Sequence, residues 1–457
     1  MNEQNRKEEI LHEVKSLIHF KEFDLLTEYI EDLHYADIAE IMDDLTAQEK
    51  NIVFERLSIE IISEIFEELE ADVFSDLLKD LDESKKRLIL DEMAKDDIVD
   101  KLEELPNERI IEILKFMDIE DSKIIKKLLA YEPDVAGGIM TSDFVVLEET
   151  ITKAEALDFL KNNAPDAETI YYIYIIDEQR KLVGVLSLRD LIIANDEVYL
   201  KEIMYTNVIS VNVYDDQEEV AHVVSKYDLL AVPVVNNFGK VVGIITVDDI
   251  IDVIEEEATE DIYKFVGSSD AESFEEKGVF SSILLSTRAR LPWLIITVFG
   301  GLLSATIVSR FQGVLNANTV LALFMPLLAG MGGNVGTQSS TITVRNLALG
   351  TIEGKEIPLT LLHEISVGII VGIVCAILVA SASYLLNGQL IISVIVGISM
   401  TANIITAATI GTIVPLVFKK MNIDPAVASA PFITTTVDIT GLTIYFSMAT
   451  YLLAVFG

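Results

Sequence analysis

Cysteine is nearly absent from this 457-residue sequence; Cys375 stands alone, inside an apolar stretch. An internal disulfide is therefore excluded, which fits a cytosolic setting for the soluble part. An apolar leader is also lacking, because the N-terminus is polar and charged, so membrane targeting is expected to come from later segments. Positive charge is scarce. Only 34 Lys and Arg face 74 Asp and Glu, for a net charge of -40. A surface this acidic repels nucleic acid and anionic lipid and attracts cations. The deficit is uneven: from Ile283 onward there are seven basic and five acidic residues, so the whole negative excess belongs to residues 1–282. No nucleophile with a partnering base is evident. His363-Glu364 lacks a second histidine four residues on, which excludes a zinc-protease motif, and no enzyme is expected.

Residues 25–130 hold a repeat. Leu33, Leu45, Leu57, Leu69, Leu81, Met93, Leu105, Met117 and Leu129 recur every 12 residues, with second apolar positions such as Phe54, Phe66, Leu78 and Leu90 before them. Twelve residues accommodate one short helix and a turn. Such helices cannot bury their stripes alone, so stacked hairpins forming an all-α solenoid are expected over residues 1–133. Its carboxylates are read first as a solvated face.

Residues 137–255 change character. Short β-branched runs (170–176, 182–186, 231–235 and 241–247) read as buried strands with helices between them. The segment is duplicated. Met140-Thr and Met204-Tyr open the copies, and Gly184, Ser187 and Asp190 recur 59 residues later as Gly243, Thr246 and Asp249. This paired pattern resembles tandem CBS domains, here 134–200 and 201–255, an α/β arrangement. The resemblance implies either an adenine-nucleotide or ion sensor or a simple dimer scaffold. Its candidate nucleotide residues are Tyr172, Arg189 and Asp190. An acidic connecting helix and linker follow at 249–282, with Ile250, Ile254, Ala258, Ile262 and Phe265 spaced along one helix face.

The last part, 283–457, contains uncharged stretches long enough for five membrane spans, near 291–309, 319–345, 363–386, 390–418 and 425–455. With the N-terminus in the cytosol, Arg288, Arg290, Arg345, Lys355, Lys419 and Lys420 fall inside and only Arg310 outside. That satisfies the positive-inside rule and places Gly457 outside. The run Gly332-Gly-Asn-Val-Gly-Thr-Gln338 is rich in small and polar residues, suited either to close helix packing or to lining a cavity. Asp438 puts a carboxylate inside the last span, at a cost of about 2.5–3.5 kcal/mol on insertion scales. No Lys or Arg within a span is available to pair with it. A structural hydrogen bond would explain it, but a water-filled cation path explains it better.

The solenoid, CBS pair, acidic helix and five spans occur in this order in MgtE-family magnesium transporters. The Gly332–Gln338 run and the segment from Asp424-Pro through Val-Asp438-Ile-Thr-Gly441 resemble that family's pore segments. The resemblance implies a homodimeric, Mg²⁺-selective, channel-like pore for uptake across the plasma membrane, closed by internal Mg²⁺. It puts the pore carboxylate at Asp438. It puts cytosolic Mg²⁺ ligands at Asp96, Asp100, Glu218, Asp228, Asp249, Asp252, Glu257, Glu260, Asp261 and Asp424. It also implies ATP or another adenine nucleotide at the CBS pair. Ala430 departs from the family, some of whose members carry a polar residue there. Two other classes remain open: a CBS-regulated transporter of another divalent cation, and a membrane-anchored nucleotide sensor without a pore.

Overall fold

The computed structural model describes residues 3–42, 44–163, 169–268, 279–352, 354 and 356–456. Lys277, Glu353, Lys355, Gly457 and the linker stretch 269–278 lie outside the described residues. The chain divides into two compact units, Met1–Ile254 and Glu255–Gly457.

The first unit opens with helices α1 (Glu3–Phe20) and α2 (Phe23–Glu31). Then come α3 (Tyr35–Met42), α4 (Ala47–Phe54), α5 (Ile59–Glu67), α6 (Ala71–Asp80), α7 (Glu83–Glu92), α8 (Lys95–Glu103), α9 (Asn107–Ile113) and α10 (Ile119–Leu128). From α3 to α10 each helix begins 12 residues after the one before, so the repeat is one helix per period. The repeating leucines and methionines sit in the connections rather than on the helices. Leu45, Leu57, Leu69, Met93, Leu105 and Met117 are all buried. Each thereby plugs the gap between successive helices, while Phe54, Phe66 and Phe74 form an edge-to-face aromatic row inside. Local capping sets the helix starts. The Asp82 carboxylate accepts from the backbone N–H groups of Ser84 and Lys85 at 3.0 Å each, and Thr46 and Glu49 make a reciprocal capping box.

The second part of this unit holds two three-stranded sheets. The first is β1 (Phe144–Glu148), β2 (Thr169–Ile176) and β3 (Leu182–Ser187), with helices α11 (Lys153–Asn163), α12 (Leu188–Ile193) and α13 (Leu200–Ile203). The second is β4 (Val211–Asn212), β5 (Ala231–Val235) and β6 (Val241–Thr246), with α14 (Gln217–Tyr227) and then α15 (Val247–Val266). In each sheet the first two strands run parallel and the last two antiparallel. Sequence periodicity found four of the six strands; β1 and the two-residue β4 are too short or too weakly patterned to stand out.

The opening dipeptides are exchanged between copies. Thr141 exchanges two backbone hydrogen bonds with Ile244 of the second copy, at 2.8 and 3.0 Å, and Tyr205 does the same with Val185 of the first, at 2.9 and 3.0 Å. Met140 thereby lies on Gly243 and Met204 on Gly184, where an added Cβ would come within 2.6 and 2.4 Å of sulfur. Each copy is completed by the other's opening segment.

The second unit contains the end of α15 and five long helices. These are α16 (Val279–Arg310), α18 (Val320–Ala348), α19 (Ile357–Asn387), α20 (Leu390–Lys420) and α21 (Ala430–Phe456), with short α17 (Gln312–Ala317) after the first. All five long ones are long and apolar enough to cross a membrane. Three expected boundaries move. The first helix begins earlier than residue 291, continuing through Pro292. The third begins at Ile357 rather than 363, with Pro358 in its first turn. The last begins at Ala430 rather than 425, because Pro425–Val427 forms a 3₁₀ turn capped by Asp424. Helix α20 is central: it is the most buried of the five long helices and α16 the least. Leu328, Val396, Met400, Ile404, Tyr445 and Phe446 form the core between α18, α20 and α21.

Candidate ion path and cytosolic carboxylate sites

Asp438 lies in the first half of α21 and is half-buried. Its threonine neighbours do not serve it. Thr434, Thr436 and Thr440 donate instead to the carbonyls four residues back, Ala430, Phe432 and Thr436, at 2.8–2.9 Å. Among the described residues no hydrogen bond or ion pair reaches the Asp438 carboxylate within this unit.

The small-residue run of α18 does two things at once. On one face Gly332 and Gly336 are buried against Val437 and Ile433 of α21, where side chains would collide. On another, Asn334, Gln338, Thr341 and Arg345 form an exposed stripe at helical spacing. A polar stripe on a membrane helix must face water or another protein surface, since lipid cannot satisfy it. Close packing thus belongs to one face of the helix, and the polar side chains to another.

Sequence reasoning missed a second carboxylate among the spans. Glu364 is only 6% exposed and accepts a 2.8 Å hydrogen bond from the Ser339 hydroxyl of α18. A span starting near 363 puts Glu364 at its very end. With α19 beginning at Ile357, Glu364 lies two turns inside.

At one end of the membrane unit the connecting helix closes on a charged cluster. The Lys264 ammonium donates to Glu260 Oε1 at 2.6 Å and to Asp424 Oδ2 at 2.8 Å. The other Asp424 oxygen, Oδ1, accepts from the backbone N–H of Ala426 at 2.8 Å. Asp261 is pushed up to about 6, first by burial and then by the charges of Asp424, Glu257 and Glu260, against the pull of Lys264. Opposing carboxylates raise the Lys264 ammonium in turn. Helix α15 ends in a Schellman turn. Ser268 N–H donates to Tyr263 and Gly267 N–H to Lys264, with Gly267 at φ +74°. An added Cβ there would meet Trp293 of α16 and Pro431 of α21. Of the linker face expected to be apolar, Ile250 is buried, while Ile254 and Ile262 are 48% and 65% exposed.

In the first unit, the recurring Ser/Thr and Asp bond each other at the start of the following helix. Ser187 Oγ donates to Asp190 Oδ2 at 2.7 Å while accepting from the Asp190 N–H. Thr246 donates to Asp249 Oδ2 from Oγ1 at 2.6 Å and from its N–H at 3.2 Å. Burial, with Asp248 and Asp252 adding, raises Asp249 to about 6 despite these bonds. Tyr172 is paired across the sheet with Ser187, so Tyr172, Arg189 and Asp190 gather at one strand–helix junction. Asp96 is buried near the start of α8, with exposed Asp100 one turn on. Exposed Glu218 opens α14. Asp228 ends the same helix in the left-handed region, at φ 51°. The Tyr35 hydroxyl is raised by burial and then by Glu64, Glu68, Glu67 and Asp248, so solenoid carboxylates and the base of α15 share one field. Among the described residues no three acidic, His or Cys side chains converge into a ready-made metal cage.

Comparison with known proteins adds a family. Residues 325–448 match MgtE, a divalent cation transporter family; 33–134 match the MgtE intracellular N domain; 135–197 and 200–256 match CBS domains. A magnesium transporter MgtE of Bacillus subtilis (strain 168) is 41% identical over 330 residues, 72% of each chain. One from Thermus thermophilus is 41% identical over 331 residues, again 72% of each. A crystal structure of the cytosolic domain of the Mg²⁺ channel MgtE in complex with ATP covers 53% of this chain and 99% of its own, at 37% identity and a TM-score of 0.50.

Proposed function

This chain belongs to the MgtE family, and from that premise we propose that it carries Mg²⁺ into the cell as a homodimeric, channel-like pore in the plasma membrane. One observation carries the reading. An intramembrane carboxylate, Asp438, has no protein partner among the described residues of its unit, in a helix bundle that also leaves the polar stripe Asn334–Gln338–Thr341 exposed. A second copy of the chain and a water-filled path between the two would satisfy both. Mg²⁺ gives up its waters reluctantly and prefers octahedral oxygen coordination. As substrate it would pass Asp438 hydrated, held through water by the negative charge. The termini follow from the charge bias, with the N-terminus cytosolic and the C-terminus outside.

The cytosolic carboxylates close the pore when internal Mg²⁺ is high. The charge at the end of α15 suits a cation: Asp261 is raised by burial and then by its acidic neighbours, and an ammonium already stands among them. Glu257, Glu260, Asp261 and Asp424 would hold a hydrated divalent ion there, and Asp96, Asp100, Glu218, Asp228, Asp249 and Asp252 would hold others in the first unit. The chemistry supplied is neutralisation of mutual repulsion, which favours the compact closed state. The CBS pair takes an adenine nucleotide, with Asp190 at the ribose and Tyr172 and Arg189 beside it.

The deciding experiment is Mg²⁺ flux into liposomes reconstituted with the full chain, with Ca²⁺, Co²⁺ and Na⁺ as competitors. Selective Mg²⁺ flux that falls as Mg²⁺ rises on the cytosolic side is expected. Preference for another divalent ion, or no flux at all, would overturn the reading.

A further inference from the structure

Asn403 is buried at the centre of the five-helix bundle, with 2% of its surface exposed. It sits on α20 and reaches two other helices. Its Nδ2 donates to the Leu328 carbonyl of α18 at 2.7 Å. Its Oδ1 finds no hydrogen-bond donor among the described residues. Two glycines make the space it occupies. A Cβ on Gly332 of α18 would stand 2.7 Å from Nδ2, and one on Gly441 of α21 would stand 2.3 Å from Oδ1. Both distances are too short for any side chain.

In a glycine a Cα–H bond points where the Cβ would be. The Gly441 Cα–H is therefore aimed at Oδ1, a weak contact of the kind that recurs where helices cross closely. A buried amide left half-satisfied is costly, so the position is not explained by packing volume alone. The amide spans all three helices, with its N–H end on α18 and its oxygen on the backbone of α21. Gly441 lies one turn beyond Asp438, and Val437, next to Asp438, packs on the same Gly332. The depth at which α21 seats against α18 and α20 sets where the Asp438 carboxylate projects.

We propose that Asn403 is a positioning residue for ion selection: its amide, clasped between Gly332 and Gly441, fixes the seat of α21 and so the reach of Asp438 toward the hydrated ion. This rests on Asp438 lining the ion path. Discrimination between divalent ions needs such a clasp, because hydrated ions differ little in size and a carboxylate on a loosely seated helix would adapt to each.

The test uses the full chain in liposomes with five variants: Asn403→Ala, Asn403→Ser, Gly441→Ala, the double Asn403→Ala/Gly441→Ala, and Asp438→Asn. Asn403→Ala is expected to keep Mg²⁺ flux but lose discrimination against Co²⁺ and Ca²⁺ by on the order of tenfold, the scale of coupling between contacting residues. Asn403→Ser keeps a small polar group and serves if the alanine variant does not fold. Gly441→Ala should lose most flux, since its methyl strikes Oδ1. The double variant should regain flux, because the atom struck is gone, while discrimination stays relaxed. A merely structural Asn403 would change thermal stability and yield but leave the ion ratios at their original values; that result overturns the inference, as does a Gly441→Ala defect that Asn403→Ala does not relieve. If Asp438→Asn conducts like the parent, the ion-path reading falls and the inference with it. If Asp438→Asn is blocked and Asn403 variants discriminate normally, the inference alone falls.

Discussion

Lys264 and Asp424 form a 2.8 Å ion pair that ties the last turn of the connecting helix to the turn opening the final span. The same ammonium holds Glu260 at 2.6 Å. Family resemblance assigns both carboxylates to a divalent ion, yet a cation built into the chain already stands between them. A divalent ion held there as proposed would have to contend with it, and Lys264 would then lower the affinity of the site.

Replacing Lys264 with Gln should therefore let Mg²⁺ act at lower concentration. For a partly exposed pair the shift is expected to be modest, about two- to fivefold. Protection of the 248–278 segment against protease, titrated with Mg²⁺ on the full chain, measures it. A midpoint unmoved or shifted upward would show that the ammonium does not compete.

Acidity should weaken Mg²⁺ protection as well. Asp249 and Asp261 are both raised to about 6, so each is mostly ionised at pH 7 and mostly protonated at pH 5. A protonated carboxyl does not hold a cation, and Mg²⁺-dependent protection should fade as pH falls through about 6. Without divalent ions the sign reverses. A raised acid binds its proton more tightly when folded, so its unfavourable contribution grows as pH rises from the usual carboxylate range through 6. Thermal unfolding in chelator should thus show these two sites favouring pH 5 over pH 7. Equal Mg²⁺ protection at the two pH values would refute the assignment of both residues.

Asp438→Ala should abolish Mg²⁺ flux and leave a folded, inserted protein. The change removes the sole formal charge of α21 and eases insertion by about 2.5–3.5 kcal/mol on insertion scales. Normal detergent elution with no flux is expected. Undiminished flux would make Asp438 structural.

Nucleotide binding separates two residues that the sequence treats alike. Arg189 is exposed, so Arg189→Ala should weaken ATP binding without loss of stability. The Asp190 carboxylate also accepts from the hydroxyl of Ser187, the residue that caps α12, so Asp190→Ala should lose binding and about 0.5–1.5 kcal/mol of stability together. Calorimetry and thermal unfolding on the full chain check both. No heat with ATP, ADP or AMP in the parent protein would remove the nucleotide from the account.

Much of this architecture was legible because its signals are local. A 12-residue apolar period dictates one helix per repeat, and the structure starts these helices at Tyr35, Ala47 and Ile59. A duplicated Gly, Ser/Thr and Asp pattern marks two strand–helix junctions, and uncharged stretches mark five spans. The weaker local signals misled. Span ends moved where Pro292 was absorbed into a helix, where Pro358 started one early, and where Pro425 made a 3₁₀ turn first. Glu364 was overlooked for that reason.

By itself the sequence determined the repeating helices, four of the six described strands and the five spans, and their order, since backbone propensity and hydropathy act over a few residues. Only the tertiary structure decided that Met140 completes the second sheet and Met204 the first. It alone set Lys264 between Glu260 and Asp424, and Asn403 between two glycines from helices far apart in the chain. No periodicity encodes these pairings. They arise when hydrophobic burial brings distant elements together and each polar group left inside must find, from whatever lies beside it, a partner to replace water.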